Sequence, residues 1–335
     1  MNINIHQKYL KKLAELKSVL KNPKNKTFFI AGHQRPDGDI IGGMLALRSL
    51  LIRLKKNVGV FSCDPIPLFL KFLPDSEKIN ISKKVKQKFD VAVILECSEL
   101  TRLGNIIIPR KQSKITINID HHAYQQNWAD INWIDSESAS ISEMLFYIFK
   151  FMNILIKKEE AVALYTGIVT DTHNFIQVNT TPQSHLVAAE LLELGVEPQE
   201  IEKYIYKTKS LNILHLLGIA LSRIKVVPSG KIAYTTITNK DFGITKTTAE
   251  DTEEIINYAG MIPNVLVWMV FRETDRKNFV KVSFRSVKEI DMNKIAQQFG
   301  GGGHKNAAGC TIKGKMEKVI NTILPVIEKY LRNLC

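Results

Sequence analysis

The chain has 335 residues, of which 45% are apolar and 24% charged, and a formal net charge of +13. This is the make-up of a globular protein too long for one ordinary core, and two domains are expected. No apolar run reaches the roughly 18 residues of a membrane span, and the basic excess, which suits a polyanionic partner, is spread along the chain rather than gathered into a tail that would favour a long duplex.

Met1 to Leu20 carries a lysine-rich amphipathic helix pattern without the unbroken apolar stretch of a signal peptide, so a cytoplasmic location is expected. Thr27–Gly32 reads as a strand and leads into His33-Gln-Arg-Pro-Asp37-Gly-Asp39, followed by a helix over Ile40–Lys55. Pro36 and Gly38 shape a turn there, and Gly42 and Gly43 permit a close approach at the start of the helix. Val58–Ser62 is a short strand. Val91–Leu95 is a buried strand ending at Glu96, and Ile115–Ile119 is another, ending at Asp120-His121-His122. A helix follows at Ile141–Met152. Such alternation argues for a parallel α/β sheet, whose ligands bind beyond the carboxyl ends of the strands. His33, Glu96 and Asp120-His121-His122 all fall at that position.

From Glu159 to about Arg223 the pattern is helical: Glu159–Thr172, which delivers Asp171 at its end, then Gln183–Leu194, Pro198–Tyr206 and Leu211–Ile224, the last read as a link between domains. After Pro228-Ser229-Gly230 a smaller α+β unit is expected. Its strands are Ile232–Ile237, Val265–Phe271 and Phe279–Phe284, and its helices Ala249–Ala259 and Met292–Gln298.

Four segments thus bring His or carboxylate groups to the ends of buried elements. His33, Asp37, Asp39, Glu96, His121 and Asp171 form a ligand set suited to divalent manganese or magnesium. Their four carboxylates balance two divalent ions, and a pair of ions roughly 3.5–4 Å apart activates water and neutralises the transition state of phosphoester hydrolysis. Asp37 or Asp39 could instead cap the helix that begins near Ile40. Asp120 suits the task of holding an imidazole, and His122 a place at the phosphate. His6, His185 and His215 have no such company. Cys63, Cys97, Cys310 and Cys335 are far apart and make no C-x-x-C pair, which argues against a zinc-thiolate site or a disulfide framework.

Phe299-Gly300-Gly301-Gly302-Gly303-His304 interrupts a helical pattern. Four glycines accept positive φ and leave backbone N–H groups to surround an anion. With His304 and, upstream, Arg285-Ser286 at a strand end, the segment reads as a phosphate-binding loop, Arg285 offering a planar fork of donors.

In this order, His33-Gln-Arg-Pro-Asp37-Gly-Asp39, Asp120-His121-His122 and the glycine run ending at His304 resemble the DHH phosphoesterases that carry a DHHA1 substrate domain, over roughly residues 25–330. The short two-domain chain is more similar to the nanoRNase/pAp-phosphatase group than to the longer RecJ-type exonucleases. The resemblance implies an α/β fold, with a parallel-sheet DHH catalytic domain (1–206), a linker helix (207–226) and a smaller α+β DHHA1 domain (227–335). It implies two Mn2+ ions, with Mg2+ as the alternative. His33, Asp37 and Glu96 would hold one ion and Asp39, His121 and Asp171 the other, with Glu96 bridging. His122 and Asp120 would serve catalysis, and Arg285, Ser286, Gly302, Gly303 and His304 would bind substrate.

The substrate implied is a short oligonucleotide or small nucleotide, with no long duplex and no membrane as partner, and with a homodimer allowed. A stand-alone cyclic di-AMP phosphodiesterase and a nucleotide-binding module without catalysis are the competing readings. Three positions depart from the family pattern. Glu96 stands where Asp is usual, His173 where a small residue is common, and Gly43 where serine is common.

Overall fold

The computed structural model describes residues 5–97, 99–122, 127–207, 209–252, 254–287 and 289–333. The chain divides into two compact units, Met1–Thr208 and Lys209–Cys335.

In the first unit the helices are α1 (Gln7–Lys21), α2 (Gly38–Arg53), α3 (Pro109–Gln112), α4 (Ile141–Met152), α5 (Lys158–Asp171), α6 (Pro182–Glu193) and α7 (Pro198–Ile205). The strands are β1 (Thr27–Ala31), β2 (Asn57–Ser62), β3 (Asn80–Ile81), β4 (Phe89–Leu95), β5 (Ser113–Asp120) and β6 (Ile131–Ile134). They form a wholly parallel sheet in the order β3-β2-β1-β4-β5-β6. The central strands are nearly continuous apolar runs because both faces are covered. On one face α2, α4 and α5 pack around Phe28, Ile30, Met44, Leu145 and Leu164. On the other, Phe29, Ala92, Ile94, Leu103, Ile106 and Ile107 form a second cluster. A side chain on Gly42 would come within 2.2 Å of the Ala163 carbonyl, so glycine there sets how closely α2 approaches α5.

This strand order reverses direction between β1 and β4. Chains leaving those two strands diverge to opposite sides and open a crevice at their carboxyl ends, where ligands of open parallel sheets bind. His33 follows β1 and Glu96 follows β4, so the two stand on either side of the crevice.

The second unit contains helices α8 (Leu211–Ser222), α9 (Asn239–Thr245), α10 (Ile255–Ala259), α11 (Met292–Gln298) and α12 (Met316–Arg332), and strands β7 (Lys225–Val226), β8 (Ile232–Ile237), β9 (Val267–Glu273), β10 (Phe279–Ser286), β11 (Gly302–His304) and β12 (Ala307–Lys313). The sheet order is β11-β12-β10-β9-β8-β7, with β8 and β9 parallel and the remaining pairs antiparallel. One face packs Met269, Phe271, Val282 and Phe284 against Ile295 of α11 and Ile323 and Ile327 of α12. The helix read as a linker, α8, buries Leu216 and Ala220 against Ile237, Ile255, Ile256 and Val270, which makes it part of this unit's own core.

Two expectations for the second unit need correction. The helix expected over Ala249–Ala259 is a 3-10 turn at Glu250–Thr252 and a separate α10. The glycine run is not an open loop: Gly300 and Gly301 donate their N–H groups to Gln297 O and Ala296 O, closing α11, and Gly302–His304 then pairs as a strand with β12. A helix end supplies orphan carbonyls that glycine N–H groups satisfy at positive φ, and Gly300 has φ +70°.

Cys63, Cys97 and Cys310 are buried free thiols, and Cys335 lies outside the described residues. No helix among the described residues is long and apolar enough to cross a membrane.

Candidate metal centre

Each side chain of the centre is placed by an element end. His33 stands two residues beyond β1, with its Nδ1 2.6 Å from the Gln34 carbonyl, which fixes Nδ1 as the donor and leaves Nε2 basic. That Nε2 faces Asp37 Oδ2 and Glu96 Oε2, each at 3.6 Å. Asp37 is the N-cap of α2, its Oδ1 accepting from Ile40 N at 3.0 Å, so its other oxygen is turned to His33.

Asp39, the second residue of α2, is wholly buried and accepts from Ile141 N at 2.7 Å and Ser142 N at 3.0 Å. These are the orphan donors at the start of α4, whose positive dipole end favours the ionised carboxylate. Of the two aspartates, then, Asp37 caps its own helix and Asp39 caps another. Each carboxylate oxygen has a second lone pair, so neither contact removes a ligand atom.

Glu96 adopts φ +50° immediately after β4, and its N–H donates to Ile119 O at 2.9 Å. The left-handed turn aims the side chain into the crevice instead of onward along the strand, and the residue is 1% exposed. Glu96 Oε1 lies 3.9 Å from His121 Nε2, which in turn lies 3.7 Å from Asp171 Oδ2 at the end of α5.

Two three-residue sets therefore come together: His33 with Asp37 and Glu96, and Asp39 with His121 and Asp171. In each set the ligand atoms lie within 4.8 Å of one another. A third set, Glu96 with His121 and His122, shares members with both. Glu96 Oε1 and His121 Nε2 are buried without a hydrogen-bond partner among the described residues. Buried polar atoms are rarely left so unless something else occupies them. A lone pair on each of two imidazoles, facing carboxylate oxygens, is a donor set that fits divalent cations.

The electrostatics agree. Burial and the charges of Asp39 and Asp37 push the Glu96 carboxyl well above its ordinary range. The same influences push Asp171 up to about 8. Burial lowers His121, against the pull of Asp39 and a hydrogen bond to the Ser138 backbone. Burial alone would raise Asp37, but the His33 contact and the Ile40 N–H hold it below the usual carboxylate range. Crowded carboxylates with raised pKa are what a cation site becomes when only protons can neutralise it.

Asp120 Oδ1 accepts from both His122 N (2.9 Å) and His122 Nδ1 (2.8 Å), while Asp120 itself is wholly buried. It holds the imidazole in place and joins neither of the two three-residue sets above. His173 is exposed, begins a run of three left-handed residues with Asn174 and Phe175, and belongs to none of the three sets. At Gly43, a side chain would meet Ile141 Cδ1 at 2.8 Å, so the contact is apolar packing.

Asn179 is a residue the linear reading passed over. Its Nδ2 donates to Asp171 Oδ2 at 2.9 Å and to Ala139 O at 3.0 Å, tying the ligand to the segment before α4. A lone Asn followed by Thr180 and Thr181 signals only a helix start, which Thr181 supplies as the α6 N-cap.

In the second unit, Arg285 and His304 both align with Ala307 on the intervening strand, so they flank a small residue from either side. Neighbouring strands are about 4.8 Å apart, which separates the two backbones by roughly 10 Å. Ser286 does not join them. Its hydroxyl is buried, donates to Ile290 O at 2.8 Å and receives Asn306 Nδ2, so it shapes the turn after β10. Gly302 and Gly303 contribute a strand, where a side chain at Gly303 would strike Ala307 O at 2.5 Å.

Residues 27–168 match the DHH family N-terminal domain and residues 229–333 the DHHA1 domain. The chain is 30% identical over 325 residues to the bifunctional oligoribonuclease and PAP phosphatase NrnA of Thermus thermophilus, covering 97% of this chain and 96% of that protein. It is 27% identical to the protein of the same description from Bacillus subtilis, covering 85% and 89%. Among solved structures, an exopolyphosphatase-related protein from Bacteroides fragilis superposes with a TM-score of 0.82 at 29% identity, covering 98% of both chains.

Proposed function

The chain belongs to the DHH–DHHA1 phosphoesterase family, in its NrnA-like branch, and from that membership we propose that it is a Mn2+-dependent phosphodiesterase that hydrolyses linear dinucleotides and other very short oligonucleotides, with 3′-phosphoadenosine 5′-phosphate as a second substrate. The observation that carries this reading is the pair of ligand sets meeting through Glu96 at the switch point of the parallel sheet.

His33, Asp37 and Glu96 would hold one ion, and Asp39, His121 and Asp171, with Glu96 shared, the other. Bound there, the two ions supply Lewis acidity at a phosphoryl oxygen and a water acidic enough to attack at neutral pH. The chain's own residues do the rest. Glu96 keeps the two ligand sets in register, and Asn179 and the α4 N-terminus hold Asp171 and Asp39 in orientation. Asp120, accepting from His122 Nδ1, makes Nε2 the basic nitrogen of that ring, which would hold or pass a proton at a phosphate oxygen. Arg285 and His304 would grip a phosphate of the substrate.

The test is a parallel assay of purified protein with Mn2+ on a linear dinucleotide, on 3′-phosphoadenosine 5′-phosphate and on cyclic di-AMP, with Asp37→Ala as the control. Turnover of the first two with little on the cyclic compound is expected. Preference for cyclic di-AMP would replace this reading with the cyclic-dinucleotide one, and no turnover on any of the three would refute it.

A further inference from the structure

The face of the second sheet opposite α11 and α12 is only half covered. On β8 and β9, Ile237, Val270 and Trp268 lie under α8 and α10. Among the described residues, the apolar clusters under α8 and α10 include no residue of β10 or β12. Strand register shows what stands there. Arg285 is level with Ala307 and Trp268, Ser283 with Gly309 and Val270, and Lys281 with Thr311 and Arg272. Paired residues of antiparallel strands project to the same side, and alternate residues share a face. Val280, Val282 and Phe284, the intervening residues, are all buried on the other side.

The floor between the two ends is made of small groups, Ser283, Gly309 and Ala307, and each end carries basic side chains. Arg285 and His304 are at one end; Arg272 and Lys281, with the Thr311 hydroxyl, are at the other. Lys281 and Thr311 are exposed. Neither the Lys281 nor the Arg272 side chain has a hydrogen-bond or ion-pair partner among the described residues. Asp275 is the acid whose field reaches Arg272. Glu273, which pairs with Val280, accepts from Asn239 N. From Lys281 to Arg285 the strand advances roughly 14 Å, more than separates the two phosphates of one nucleoside bisphosphate.

We propose that Arg272, Lys281 and Thr311 form a second phosphate subsite, which takes the backbone of an oligonucleotide running along β10 from its anchor at Arg285 and His304. The inference rests on the phosphodiesterase reading above and adds to it a substrate length: chains of several nucleotides engage both ends of the face, whereas a dinucleotide or bisphosphate reaches only the anchor. The occupant is a single strand. The floor is made of small groups, and the basic groups at its ends follow one strand direction.

The experiment measures fluorescence anisotropy of the full chain with uncleavable phosphorothioate oligoribonucleotides, a dinucleotide and a pentanucleotide, at several salt concentrations. Lys281→Ala should weaken the pentanucleotide several-fold more than the dinucleotide and lower its salt slope by about one. Thr311→Lys should tighten the pentanucleotide selectively. Equal loss on both lengths in Lys281→Ala, an unchanged salt slope, no gain in Thr311→Lys, or failure of the wild type to favour the longer strand would each overturn the proposal. Because binding is read without cleavage, a wild type that binds by length yet hydrolyses nothing would refute the phosphodiesterase reading and leave the subsite standing.

Discussion

Asn179 and Asp171 are joined by a 2.9 Å hydrogen bond across the α5–α6 connection, and the same amide nitrogen reaches Ala139 O. The contact orients a carboxylate at the last residue of a helix. Outer partners of metal ligands typically contribute 10–100-fold in affinity or activity. Asn179→Ala should therefore lower Mn2+ affinity about tenfold or more, with turnover restored by raising Mn2+. A Mn2+ titration of activity and direct metal binding by calorimetry check this. Lost turnover that no Mn2+ concentration restores would point to a different role for Asn179.

Glu96 distinguishes charge from reach. Glu96→Asp keeps the negative charge and should retain hydrolysis, changing rate or the Mn2+ to Mg2+ preference. Glu96→Gln removes a charge from a member of the His33 set that also faces His121 of the other, and turnover should fall by orders of magnitude. Full activity in the Gln variant, measured across both metal titrations, would show that the shared ligand is another residue.

Protonation supplies a third prediction. In the metal-free protein Asp171 ionises at about 8, far above an unfolded aspartate. A carboxyl raised in this way favours the fold below its unfolded pKa, and that contribution is lost as pH climbs through about 8. Mn2+ requires the ionised form, so binding at neutral pH must expel protons. Affinity and the Mn2+-induced rise in Tm should both increase with pH up to about 8. Calorimetry in buffers of different ionisation enthalpy should show proton release near pH 7, and identical heats in all buffers would contradict the assignment.

Gly167 tests the packing beneath Asp39. A methyl group there would stand 2.0 Å from Ser142 Oγ and 2.5 Å from Asp39 Oδ1. Gly167→Ala should destabilise the fold by about 1–3 kcal/mol through overpacking and also weaken Mn2+ binding, since Asp39 must shift. Thermal melts with and without Mn2+ separate the two effects. A loss of stability with unaltered metal affinity would remove Asp39 from the centre.

Much of the site was legible along the chain because central strands of a parallel sheet are buried on both faces. Each is an apolar run, so the polar residue that ends it marks the ligand-binding edge. His33, Glu96 and Asp120-His121-His122 announce themselves this way, and so does Asp171 at the end of a buried helix. The residue types then limit the chemistry to hard divalent cations. What the linear pattern could not hold is anything set by contact between distant segments. That Asp39 accepts the first N–H groups of a helix a hundred residues away, that Asn179 steers Asp171, and that Ser286 turns from the face Arg285 occupies all depend on packing and strand register. The glycine run shows the same limit. Glycine permits many backbone paths, and only the neighbouring α11 and β12, by offering carbonyls and a strand edge, selected a helix cap and a paired strand over an open loop.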